Sequence, residues 1–181
     1  KPAAAALAAI AALRPAAGLL TVATPSSCLP TVAALGAEYM TEPLDENSDG
    51  TVAAGAVDRI LAIDADVLAI GPGLGQSASA TTLVHALVER ARVPLVMDAD
   101  GLNAFAGGAD RLKGRDDVPV VITPHPGEMA RLTRLSIQDV QARRLEVARD
   151  FAASHHVFVV LKGHRTIVAT PTGKSFINTS G

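Results

Sequence analysis

Four short stretches of this sequence carry residue types that can bind or move charge. They are GPGLG at 71–75, DADGLN at 98–103, TPHPGE at 123–128 and KG at 162–163. Glycine leaves backbone N–H groups unshielded, so a nearby anion can approach them closely. Aspartate, histidine and lysine side chains add hydrogen bonds and charge. Together these types could recognise a charged ligand, whereas any one stretch alone is also an ordinary turn.

The histidine at position 125 stands between two prolines, so the backbone on both sides of it is restricted. One interpretation is a rigid turn with an exposed histidine. The other is a side chain held in place to touch a ligand. The residues alone leave both open.

The strands and helices that must position these stretches are predicted from the spacing of apolar residues along the sequence. Continuous apolar runs predict buried strands, and they alternate with segments of helical spacing, which is typical of a parallel sheet covered on both faces. The predicted helices include 3–14, 77–91 and a long one over 136–154, and TIVATPTGKSFINT predicts a closing hairpin. Residues 1–181 are expected to form a single α/β domain.

Each of the four stretches follows a predicted strand. These strands cover 66–70, 93–97, 118–122 and 157–161. In open α/β sheets ligands bind at the carboxyl ends of the strands. We therefore expect the four stretches to line one pocket.

Composition narrows the class of protein. The chain has 49% hydrophobic and 3% aromatic residues and a net charge of -2, without basic runs. A nucleic-acid or membrane-surface partner is therefore not expected. Cys28 stands alone, which excludes an internal disulfide, favours a reducing compartment such as the cytoplasm, and predicts a small buried hydrophobe.

Several motifs have a plain structural interpretation. GPGLG is not a dinucleotide fingerprint because position 76 is Gln, and TGKS at 172–175 lacks the earlier glycine of a P-loop because position 168 is Val. No Cys/His spacing typical of zinc occurs. Asp100 is interpreted as a helix N-cap, whereas Asp98, at the strand end, is the better ligand-binding candidate.

Read together, five segments resemble the ADP- or ATP-dependent NAD(P)H-hydrate dehydratase family, a branch of the ribokinase-like fold. The segments are AIGPGLG, PLVMDADGLN, VITPHPGE, VVLKGHRTIV and INTSG. The resemblance covers essentially the whole chain. It implies a three-layer sandwich in which a mostly parallel sheet carries helices on both faces.

The resemblance also implies a function, which is repair of NADH or NADPH whose reduced ring has taken up water. The terminal phosphate of ADP or ATP would pass to the ring hydroxyl, and phosphate would then leave to restore the double bond, with Mg²⁺ expected at the nucleotide. The implied hydrate-binding residues are Gly71, Gly73, Gly75, Asp98, Asn103 and His125. The implied nucleotide-binding residues are Glu128, Lys162, Gly163 and Thr166, with Glu128 near the metal–phosphate.

Two family segments are missing from the sequence. The first strand should precede Lys1, and the glycine-rich segment with the catalytic aspartate should follow Gly181. No catalytic residue is therefore assigned, and the 181-residue chain is predicted to bind weakly without turnover. The resemblance implies a homo-oligomer and a fused or separate epimerase. Another ribokinase-like small-molecule kinase and a non-catalytic nucleotide-binding module remain as alternatives.

Overall fold

The computed structural model of the chain describes residues 1–15 and 17–180. The helices are α1 (Pro2–Leu13), α2 (Leu29–Ala34), α3 (Val57–Leu61), α4 (Ala78–Arg90), α5 (Asp100–Asn103), α6 (Pro126–Thr133), α7 (Ile137–Ala142) and α8 (Arg144–His155). The strands are β1 (Thr21–Pro25), β2 (Met40–Leu44), β3 (Leu68–Ile70), β4 (Leu95–Met97), β5 (Val120–Ile122), β6 (Phe158–Leu161), β7 (Ile167–Ala169) and β8 (Ser175–Ile177). The predicted α/β class, with a mostly parallel arrangement of strands, is confirmed.

Contacts between residues group the chain into two compact units. The first comprises Lys1–Asp64 and Pro72–Leu87, and the second comprises Ala65–Gly71 and Val88–Gly181. The single domain expected over 1–181 stays a prediction. Over residues 1–15 and 17–180, no helix is both long and apolar enough to cross a membrane.

The first unit is built on an alanine-rich helix and a parallel strand pair. Alanine has the highest helix propensity, and Pro2 occupies the first turn of α1, where no N–H donor is needed. β1 pairs with β2 in parallel, from Thr21 opposite Met40 to Pro25 opposite Leu44. The buried cluster of this unit contains Ala6, Ala9, Val22, Val32 and Tyr39.

The second unit holds a sheet in the order β3-β4-β5-β6-β7-β8. The pairs from β3 to β6 are parallel, and β6–β7 and β7–β8 are antiparallel. The most buried strand residues, each at most 1% exposed, are Leu95, Met97, Val120, Ile122, Val159, Leu161 and Ala169. TGKS covers the end of the turn between β7 and β8 and the first residue of β8, as the hairpin prediction requires, and does not form a strand-to-helix P-loop.

The predicted helix over 136–154 was wrong in one respect, because it is two helices. Arg143, with φ −129° and ψ 39°, leaves helical geometry between α7 and α8. Ser136 caps α7 by accepting a hydrogen bond from the backbone N–H of Asp139 at 3.0 Å. The uninterrupted helical pattern of the sequence does not reveal this break, which places Arg144 at the start of a new helix.

Candidate functional site

The site lies at the carboxyl edge of β3, β4, β5 and β6, whose parallel pairing puts their ends on one side of the sheet. Backbone hydrogen bonds join the loops that follow these strands. Asp98 N donates to Ile70 O at 3.1 Å, Thr123 N to Met97 O at 3.0 Å, and Lys162 N to Pro124 O at 2.9 Å. Within the second unit, the stretches beginning at Gly71, Asp98, Thr123 and Lys162 are thus neighbours, and the single pocket expected from them stays a prediction.

Lys162 lies between two carboxylates from different loops. Its Nζ donates to Asp98 Oδ1 at 2.6 Å and lies 3.9 Å from Glu128 Oε2. The side chains of Lys162 and Asp98 are 40% and 33% exposed, whereas that of Glu128 is 6% exposed. The ammonium is partly exposed and has three N–H donors, so beside these carboxylates it can still donate to a ligand oxygen such as that of a phosphate.

His125 is the N-cap of α6, and Glu128 completes a capping box. The ring Nδ1 of His125 accepts hydrogen bonds from Gly127 N at 3.0 Å and Glu128 N at 3.3 Å. In return, Glu128 Oε2 accepts from His125 N at 2.8 Å. Three otherwise unpaired N–H donors of the helix start are thereby satisfied.

The prolines on either side of His125 have distinct structural roles. Pro126 occupies the first turn of α6, where its fixed φ favours the helix. Pro124 offers its carbonyl oxygen to Lys162 N. The rigid-turn interpretation of His125 is therefore correct for the backbone. It does not exclude the functional one, because half of the His125 side chain is exposed.

The capping box also determines which ring nitrogen of His125 carries a proton. Because Nδ1 accepts from two N–H groups, it carries none, and the proton of the neutral ring is on Nε2. Nε2 lies 3.4 Å from Glu128 Oε1. His125 thus offers a ligand an N–H donor at the edge of the sheet.

Gly71 is required by close backbone packing at the end of β3. Its φ is +130°, and a Cβ there would overlap the carbonyl oxygen of Asp98 and lie 2.8 Å from Gly101 N. A Cβ at Gly101 would in turn lie 2.9 Å from Ile70 O. The first glycine of GPGLG therefore lets the end of β3 lie against the start of α5, which is the tight-turn interpretation. Gly73 and Gly75 belong to the first unit.

The helix that follows β4 does not have the N-cap residue that the sequence predicted. α5 begins at Asp100 itself, and Ala99 holds the N-cap position with φ 50° and ψ −119°. The N-cap interpretation of Asp100 was therefore wrong. A positive φ is unusual for alanine, and such backbone strain clusters at functional sites. Asn103 Oδ1 accepts from Arg131 Nε at 3.0 Å, which links α5 to α6.

The KG stretch continues as a five-residue connection, residues 162–166, between β6 and β7. Thr166 Oγ1 donates to Gly163 O at 3.1 Å, closing this loop on itself. The guanidinium of Arg144 contacts the same loop from α8. Sequence analysis missed Arg144 and Arg131 because neither lies in a motif. It also missed α6, which Pro126 and Glu128 at the first and third helical positions could have indicated.

The titratable residues of the site do not form a metal centre. Among residues 1–15 and 17–180, no group of three or more His, Cys, Asp and Glu side chains is placed to hold a metal ion. Asp98 and Glu128 already contact the ammonium of Lys162. The donor set of the chain itself therefore does not fit a resident metal.

Comparison with known proteins shows which family the chain resembles. The family model described as NAD(P)H-hydrate dehydratase matches residues 2–181. The bifunctional NAD(P)H-hydrate repair enzyme Nnr of Moorella thermoacetica is 44% identical over 177 residues, which are 97% of this chain and 33% of that protein.

Solved structures of a dehydratase and of a ribokinase-like protein superpose on the chain. The ADP/ATP-dependent NAD(P)H-hydrate dehydratase of Bacillus subtilis, co-crystallised with ATP/Mg²⁺ and soaked with CoA, superposes with a TM-score of 0.79 at 30% identity, covering 99% of this chain and 62% of that one. A ribokinase-like superfamily protein of Enterococcus faecalis gives 0.78 at 27% identity, covering 99% and 59%. The chain thus spans between one third and three fifths of these proteins. From its ribokinase-like fold and the match over 2–181, the chain belongs to the NAD(P)H-hydrate dehydratase family.

Proposed function

We propose that this chain takes part in the nucleotide-dependent dehydration of hydrated NADH or NADPH. The observation that carries the proposal is the ammonium of Lys162, held by Asp98 and Glu128 at the same sheet edge as His125. Family membership supports the substrate, because the Bacillus subtilis relative is named an ADP/ATP-dependent NAD(P)H-hydrate dehydratase. The proposed reaction is a phosphoryl transfer followed by an elimination of phosphate.

The chemistry of the hydrate explains why a nucleotide is needed. Hydroxide is a poor leaving group, whereas phosphate is a good one. The ring hydroxyl oxygen forms a bond to the terminal phosphorus of ADP or ATP, the bond to the rest of the nucleotide breaks, and the hydroxyl proton is lost. The C–O bond then breaks with its electron pair leaving on phosphate, and loss of a neighbouring C–H proton restores the ring double bond.

The nucleotide side is assigned to the loop after β6. Lys162 supplies positive charge to the terminal phosphate, and Gly163 and Thr166 shape the loop that carries it. Glu128 is placed to orient both Lys162 and His125, since Oε2 contacts the first and Oε1 lies 3.4 Å from the second. Positioning and charge stabilisation are the main demands of phosphoryl transfer.

The hydrate side is assigned to His125 and the loops after β3 and β4. His125 offers its Nε2–H to the substrate, and Asp98 and Asn103 line the neighbouring loop. Gly71 completes this set in the second unit, as backbone that a ligand can approach closely. The hydrate contacts implied for Gly73 and Gly75 by the resemblance stay a prediction.

Magnesium accompanies the nucleotide rather than the free chain in this proposal. Mg²⁺ is usually held through substrate phosphates, waters and one or two carboxylates. The Bacillus subtilis relative was co-crystallised with ATP/Mg²⁺. In the chain alone, Asp98 and Glu128 are paired with Lys162.

A partner activity, an oligomeric state and a cellular location complete the proposal. The Moorella thermoacetica protein is named bifunctional, which supports a second repair activity, and we assign it to an epimerase acting beside this domain. A homo-oligomer and a cytoplasmic location, where a lone cysteine stays reduced, complete the proposal.

The deciding experiment is turnover of NADH hydrate with ADP or ATP and Mg²⁺, followed by the return of nicotinamide absorbance. Two proteins are compared, residues 1–181 and the same residues continued by a glycine-rich segment with an aspartate. We expect both to bind nucleotide and the continued chain to turn over, because a placed general base contributes roughly 10²–10⁴-fold.

Three outcomes separate the alternatives. Nucleotide consumption with another hydroxyl compound but not with NADH hydrate would favour a different ribokinase-like kinase. Nucleotide binding by both proteins without any turnover would favour a binding module. Comparable turnover by both proteins would place the catalytic group within 1–181, with Asp98 as the first residue to substitute.

A further inference from the structure

Arg144, the first residue of α8, binds the backbone of the loop that contains Lys162. Its Nη1 donates to His164 O at 2.9 Å, and its Nη2 donates to Leu161 O and Lys162 O, each at 3.2 Å. One guanidinium thus binds the carbonyl oxygens of three of the four residues 161–164. Only a planar fork of donors can do this at one position, which distinguishes arginine from lysine here.

Gly163 allows the guanidinium to lie directly against the loop. Its φ is +137°, and a Cβ at this position would be 2.9 Å from Nη1 and 3.0 Å from Nη2 of Arg144. Any side chain at 163 would therefore displace the guanidinium. The glycine of the KG stretch is needed for this contact as well as for its backbone conformation.

The direction of the three carbonyls determines the direction of the N–H groups that follow them. In a planar trans peptide, C=O and N–H point to opposite sides. The Lys162 N–H, opposite the Leu161 carbonyl, donates to Pro124 O. The N–H groups of Gly163 and Arg165 are opposite the carbonyls of Lys162 and His164, so they point away from Arg144.

These two N–H groups have no acceptor in the part of the chain that the structure describes. Gly163 and Arg165 both have positive φ, 137° and 57°. Backbone N–H groups that a turn directs to one side can form a concave anion site. A cation behind the carbonyls also polarises the peptides and strengthens their N–H groups as donors.

We propose that Arg144 is a positioning residue for nucleotide phosphate, acting through the N–H groups of Gly163 and Arg165 beside the ammonium of Lys162. The proposal rests on the nucleotide binding of the proposed function. Arg144 does not touch the nucleotide. It holds the loop in the conformation that presents its donors.

The experiment titrates the 181-residue chain and its Arg144→Ala variant with ADP and with adenosine, which lacks phosphate. Removing a residue that orients ligand-binding groups typically costs roughly 10–100-fold. We expect the ADP dissociation constant to rise by that factor and the adenosine constant to stay within about twofold, since only phosphate uses the loop donors. Arg149→Ala, on the exposed side of the same helix and paired with Asp150, is the matched control and should change neither constant.

Two further variants keep the test decisive where Arg144→Ala does not fold. Arg144→Lys retains the charge and the stem but not the fork, and Gly163→Ala displaces the guanidinium from the loop. Both should lower the preference for ADP over adenosine. An equal loss of affinity for ADP and adenosine, or an unchanged affinity for ADP, would overturn the positioning role of Arg144. It would leave the proposed nucleotide site standing. An unsubstituted chain that binds adenosine but gains nothing from phosphate would overturn the proposed nucleotide site as well.

Discussion

The ammonium of Lys162 lies 2.6 Å from Oδ1 of Asp98, although the two residues are 64 positions apart in the chain. The pair joins the loop after β6 to the loop after β4, across the intervening strand β5. It is partly exposed, and such pairs contribute at most about 1 kcal/mol to the free energy of unfolding. Its importance therefore lies in placing charge rather than in stability.

Lys162→Ala should weaken ADP or ATP binding by roughly tenfold or more, the cost of one charge-assisted hydrogen bond. Binding of NADH hydrate should fall less, and the melting temperature should change little. Calorimetric titrations with each ligand measure both effects. Lys113→Ala, at an exposed lysine, is the control. Equal loss of both ligands would contradict the assignment of Lys162 to the nucleotide.

The two roles of His125 can be separated by choice of substitution. His125→Ala removes the N-cap of α6 and should lower the free energy of unfolding by about 1 kcal/mol. His125→Asn keeps an acceptor for the helix N–H groups, so stability should be close to that of the unsubstituted chain. Both should lose affinity for NADH hydrate. Retained affinity in His125→Asn would show that the histidine serves the helix alone.

Gly71→Ala should destabilise the second unit by about 2–4 kcal/mol, because the new Cβ overlaps backbone and the positive φ disfavours alanine. The carbonyl of Asp98 must move, so nucleotide binding should weaken too. Chemical denaturation gives the free energy, and Gly108→Ala, where a Cβ meets nothing within 4 Å, is the control. A similar small effect at both glycines would contradict the close approach of β3 and α5.

The loop after β2 should contribute to acid sensitivity. Hydrogen bonds from the Ser27 hydroxyl at 2.6 Å and the Ser27 N–H at 3.0 Å lower the pKa of Glu46 below its usual 4.5. A lowered pKa in the folded chain stabilises it above the unfolded value, and that contribution is lost as pH falls below 4.5 through the folded pKa.

Ser27→Ala removes the larger of these two hydrogen bonds. The pKa of Glu46, followed by NMR titration, should rise toward its usual value in this variant. The difference in stability between the two proteins should be present at neutral pH and shrink as the solution is acidified below the Glu46 pKa. An unchanged Glu46 titration in Ser27→Ala would refute this explanation.

Local patterns in the sequence were sufficient to predict the buried strands that carry the site. The apolar runs before Gly71, Asp98, Thr123 and Lys162 predict buried parallel strands, and parallel strands end at one edge. The combination of motifs that follow them identified the family. Each of these features is encoded within a few successive residues, so no contact between distant residues was needed to see it.

Only the tertiary structure decided how the side chains at that edge are used. The pairing of Lys162 with Asp98, the binding of loop carbonyls by Arg144 and the break at Arg143 depend on residues that are distant in sequence or on the packing of whole helices. The cap at His125 is local, yet histidine is not among the preferred N-cap residues, so propensity did not indicate it. Propensity and periodicity report what each segment prefers, whereas these contacts arise from side chains that meet only after the strands have paired.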